Sequence, residues 1–195
     1  MTKTKKNLRL TFAYYFKTFM VVAFPLHVWA LLMIFRDLEF LTERTNRWDA
    51  IGYGGYTLLF ILLESIILSV IVWGLSLLLP KSWGEKRTLS VAGSAFTILA
   101  GASIVDMAFH AFNEPRISRQ YLYGLETYPT LTYILIAAAV MIAITAMVIV
   151  ILKTKWGEKV IYEIFDRIML LGYLYLLLDA AGIVIVVIRN VSNSL

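Results

Sequence analysis

Five long runs of apolar residues, parted by short polar segments, organise this chain. They cover about residues 12–35, 51–79, 88–112, 130–152 and 160–188. A helix rises about 1.5 Å per residue, so even the shortest run is long enough to cross a hydrocarbon core of ~30 Å. None alternates apolar and polar residues over a ten-residue unit, which argues against barrel strands. The first run is longer than the apolar stretch of a signal peptide, and no small-x-small cleavage site follows Phe35. The pattern predicts an all-α integral membrane protein: one transmembrane domain over residues 1–195, built as a bundle of about five helices.

Composition agrees. Hydrophobic residues make up 60% of the chain and charged ones 16%, against about 45–50% and about 25% in soluble domains. There is no cysteine, which removes disulfides, thiol redox chemistry and thiolate metal ligands together. The net charge of +5 would suggest nucleic acid in a soluble chain. In a membrane chain it reports sidedness instead, and no nucleic-acid partner is expected.

Sidedness follows from Lys and Arg. With the N-terminus inside, the inner segments hold twelve basic residues (Lys3, Lys5, Lys6, Arg9, Lys17, Lys81, Lys86, Arg87, Lys153, Lys155, Lys159, Arg167). The outer ones hold six: Arg36, Arg44, Arg47, Arg116, Arg119 and Arg189. Asp37, Glu39, Glu43, Asp49, Glu114 and Glu126 all fall outside. Trp83 and Trp156 mark the inner interface, and Trp48, Tyr53, Tyr121 and Tyr128 the outer one. The expected layout is N-terminus cytoplasmic and C-terminus external, in a multi-pass protein of a prokaryotic plasma (inner) membrane.

A Trp-Gly-Glu-Lys segment occurs twice, at Trp83–Lys86 and Trp156–Lys159, 73 positions apart. The same offset carries Asp106 onto Asp179 and Thr57-Leu58 onto Thr130-Leu131. One helix followed by two tandem helical hairpins would produce this pattern. So would two inner loops that each acquired an interfacial Trp, a turn Gly and snorkelling Lys.

Charge in hydrocarbon costs a few kcal/mol per group, so each intramembrane ionisable residue needs a reason. Lys17, Glu163, Asp166 and Arg167 lie near helix ends, where snorkelling or pairing suffices. His27, Glu64, Asp106 and Asp179 lie deeper, at similar depth in the outer half, and His110 stands one turn above Asp106. Converged on one another they would form a polar pocket open to the outside, with carboxylates close enough to share a proton or hold a cation. Dispersed, each would hydrogen-bond a neighbouring helix and do nothing more. Depth does not decide between these, because it leaves the azimuth free.

Further chemistry is thinly supported. A metal site would draw on Asp106, His110, Glu64, Asp179 and His27, a usable oxygen and nitrogen set with no compact ligand motif. A haem with two axial histidines is disfavoured, because His27 and His110 differ in depth by ~10 Å. No catalytic motif and no dinucleotide or nucleotide fingerprint is present, so no catalytic residue is assigned. In the charge-dense segment from Arg36 to Asp49, Glu43 and Arg47 are spaced for an i, i+4 pair on a short helix lying on the membrane. Three functions fit these features. The first is a non-catalytic subunit or anchor of a plasma-membrane complex, with a protein partner or a second copy beside it in the bilayer. The second is a relay or transporter of protons or cations through the acidic pocket. The third is a membrane-embedded enzyme.

Overall fold

A computed structural model describes residues 11–111, 123–124 and 126–192. The basic residues up to and including Arg9, Phe112 at the expected end of the third run, and Glu114, Arg116, Arg119 and Tyr121 lie outside the described residues. Five helices carry the apolar runs: α1 (Phe12–Arg44), α2 (Arg47–Ser76), α3 (Glu85–Ala111), α4 (Pro129–Lys153) and α5 (Lys155–Ser192). All five are long and apolar enough to cross a membrane, and the chain is an all-α membrane bundle.

Local chemistry sets the ends. Thr11 caps α1, its hydroxyl accepting from the Tyr14 amide at 3.3 Å. Asn46 caps α2 reciprocally: its carbonyl accepts the Asp49 amide and its side-chain amide donates to the Asp49 carboxyl, both at 2.8 Å. Pro129 starts α4, where its missing N–H costs nothing. Thr154 serves two helices. Its amide and hydroxyl donate to the Val150 carbonyl at the end of α4, and its hydroxyl accepts from the Gly157 amide in the first turn of α5.

One expectation is corrected here. Residues Arg36 to Arg44 form no separate surface helix; they continue α1 without a break. The chain turns only at Thr45, whose backbone is extended, and Asn46. Glu43 and Arg47 therefore belong to different helices, and the i, i+4 geometry between them does not exist.

α1 is the most buried helix, packed against α2, α3 and α5, whereas α4 lies at the edge against α3 and α5. Because lipid tails are as apolar as Leu, burial alone does not drive helices together in a bilayer; close fit and interhelical hydrogen bonds do. α2 shows this. Its buried positions are Ala50, Gly52, Gly55, Leu58, Ser65, Ser69 and Ser76; from Gly52 onward they repeat at three, four or seven residues, and all but Leu58 are small. The Tyr14 hydroxyl donates to Ser76 Oγ at 3.2 Å, and Tyr15 and Ser69 share a hydrogen bond of 3.0 Å. On α5, Gly172 leaves room for the Met20 sulfur, which lies 2.3 Å from where a Cβ would stand.

Polar contacts clamp both ends. At the end bearing the α1 N-terminus, Lys17 pairs with Glu85 at 2.6 Å and Arg87 with Glu158 at 2.7 Å. Glu85 and Glu158 correspond under the 73-residue offset, and each ties the start of its helix to a cation on another helix. At the opposite end Arg189 of α5 pairs with Asp49 and donates to the Trp48 carbonyl at 3.0 Å. The Tyr53 hydroxyl there donates to Asp37 at 3.1 Å.

Candidate functional site

A buried polar contact joins α1 to α5. His27 is fully buried and Asp179 is 2% exposed. His27 Nε2 lies 3.0 Å from Asp179 Oδ1 and 3.1 Å from Oδ2. Its other nitrogen, Nδ1, lies 2.8 Å from the Ala23 carbonyl one turn back. The Tyr175 ring, one turn before Asp179, stacks on the imidazole at 5.1 Å and 25°.

These contacts require hydrogens at two places. A carbonyl only accepts, so Nδ1 carries a hydrogen. A second hydrogen must lie between Nε2 and the carboxyl, since two lone pairs would otherwise face each other at 3 Å. The pair is thus neutral as a unit, whether imidazolium with carboxylate or imidazole with carboxylic acid. Both ring nitrogens are engaged, leaving none for an iron or another metal.

The other expected members stand elsewhere. Glu64, near the middle of α2, is exposed, and no described residue hydrogen-bonds or ion-pairs with its carboxyl. Asp106 is half-buried on α3. His110 is exposed, its Nδ1 donating to the Asp106 backbone carbonyl at 2.8 Å. The five residues do not gather into one pocket. Azimuth separates them: Asp179 faces inward to α1, whereas Glu64 faces the bundle surface. Among the described residues no three His, Asp or Glu side chains come close enough to hold a metal ion, so the metal set expected from the sequence is not assembled. Asp106 and Asp179, equivalent under the 73-residue offset, differ in burial.

Glu64 opens onto a groove of about 680 Å³ between α2 and α3, with α1 as its floor. Trp29, Phe60, Leu68, Phe96 and Met107 are among its walls, and Glu64 is the only charged side chain on them. A second recess, of about 590 Å³, lies at the other end of α3 and α5 among Lys86, Arg87, Lys155, Glu158, Lys159 and Asp166. Its charges largely answer one another: Arg87 holds Glu158, and the Lys86 ammonium sits 4.9 Å over the Tyr162 ring.

Sequence reasoning missed two elements. One is the Arg189–Asp49 clamp, for which opposite charges at the same ends of α2 and α5 were the available signal. The other is Gly55, whose close approach to Gly182 has no counterpart in the apolar pattern. No protein-family model, curated protein or solved structure matches the chain. Fold and surface define its class, a multi-pass integral membrane protein.

Proposed function

We propose that the chain is a non-catalytic subunit of a plasma-membrane complex, holding a partner within the bilayer. One observation carries this reading: Glu64 is exposed near the middle of a membrane-spanning helix with no described partner. An unanswered carboxyl in hydrocarbon is costly, and a neighbouring chain is the simplest source of an answering group. α4 adds support. Its 25 residues include a single buried one, Ile151, which leaves a membrane-length surface, uncharged as far as the terminal Lys153, beside the bundle.

The relay reading loses its main support in this geometry. It needs acids close enough to pass a proton, and Asp179 is enclosed by His27 while Glu64 faces outward.

Purification of the tagged chain from its own membranes in mild detergent, followed by native mass spectrometry, tests the proposal. The expected particle contains the 22.2 kDa chain with another polypeptide in fixed stoichiometry. A monodisperse single chain would overturn it.

A further inference from the structure

Resting on the subunit reading, we propose that the groove between α2 and α3 seats a membrane-spanning helix of a partner chain, and that this helix carries a lysine or arginine at the level of Glu64. The groove's wall on α2 runs from Thr57 to Leu75, roughly 27 Å at 1.5 Å per residue. That is close to the thickness of the hydrocarbon core, so the groove is cut for an element that crosses the membrane. Its walls are apolar and aromatic apart from one carboxyl, Glu64, with Thr57 and Ser103 as the other polar side chains.

Charge chooses the occupant. Lipid chains would fill the apolar walls and leave Glu64 facing hydrocarbon. A helix without a donor would do the same. A helix with a basic side chain at this depth answers the carboxyl, and each charge then offsets the other's cost of leaving water.

In a second copy of this chain, α5 supplies no such group. The register of α2 on α5 is set by Asp49 against Arg189 and Gly55 against Gly182. Continued along the helices, it places Glu64 level with Tyr173. Arg167 is the nearest α5 cation, about 9 Å further along the axis. In a symmetric dimer it would miss the carboxyl by that distance.

The probe is a synthetic leucine-alanine transmembrane peptide of about 23 residues with one central lysine. A sister peptide has leucine at that position. Each is reconstituted with the purified full-length chain in phosphatidylcholine vesicles, and binding is read by energy transfer between labels. The lysine peptide should bind about tenfold more tightly than the leucine peptide, the scale of an interhelical polar contact of this kind. The preference should vanish in Glu64→Gln. In Glu64→Lys it should pass to a peptide with central glutamate. Both variants should melt like the parent, since no described residue depends on Glu64. Equal binding of the two peptides, or a lysine preference that survives Glu64→Gln, would overturn the proposal. So would self-association of the chain, without peptide, that depends on Glu64. A native complex that survives Glu64→Gln intact would remove the groove as its docking site and leave the subunit reading standing.

Discussion

Gly55 of α2 and Gly182 of α5 lie back to back. A Cβ on Gly182 would stand 3.1 Å from the Gly55 carbonyl oxygen and 2.9 Å from the Leu58 Cβ, and one on Gly55 would stand 2.8 Å from Ile185 Cγ2. Backbone and Cβ atoms cannot step aside as a flexible side-chain tip can. The two helices approach this closely because neither residue has a side chain.

A glycine at this contact and one facing away from it should therefore respond to alanine in opposite directions. Nothing lies within 4 Å of a Cβ on Gly54, so Gly54→Ala should gain up to about 1 kcal/mol from helix propensity. Gly182→Ala should lose about 1–3 kcal/mol, because overpacking outweighs that gain. Thermal unfolding in detergent reads both signs, and a loss at Gly54 with a gain at Gly182 would refute the packing described here.

The His27–Asp179 pair should be strongly coupled. His27→Leu leaves a buried carboxyl without its partner, a loss of about 3–5 kcal/mol. Asp179→Asn should be the mildest single change, because the amide can donate to Nε2 while Nδ1 keeps the Ala23 carbonyl. The double variant with Leu at both positions should recover most of what His27→Leu loses. A double-mutant cycle in detergent measures this, and simple additivity of the two Leu variants would show that the contact contributes little.

Arg189 should contribute less than its two contacts suggest, because the clamp is open to solvent on the Asp49 side. Arg189→Ala is expected to cost about 1 kcal/mol, and the difference from the parent should shrink as salt screens the ion pair. A loss that is constant from low to high salt would point to packing over Gly52 as the main contribution.

The lysine and arginine count predicts a topology that reporter fusions can check. A reporter after Leu195 should read as external and one after Lys86 as cytoplasmic. Reversal at either position would invert the orientation.

The apolar runs were enough to locate all five helices, because hydropathy reports what faces lipid and only helices satisfy their own backbone there. It does not report where a helix stops. Residues Arg36 to Arg44 are polar yet continue α1, since helix persists in water until Thr45 and Asn46 turn the chain. Depth, counted along each run, placed His27 level with Asp179, and these two meet. Depth also placed Glu64 level with them but left its azimuth open, because rotation about the helix axis is set by small residues such as Gly55 and Ser65, not by the polar residue itself. The hydropathy of α2 is high all round, so nothing in its sequence marked the face that carries Glu64.

Because His27 and Asp179 form a neutral unit wherever their shared hydrogen sits, the docked pair presents no net charge to the electric field of an energised membrane. A lone carboxylate carried across that field would couple to it by about 2.3 kcal/mol per 100 mV. A change of membrane potential therefore does no net work on the paired His27 and Asp179.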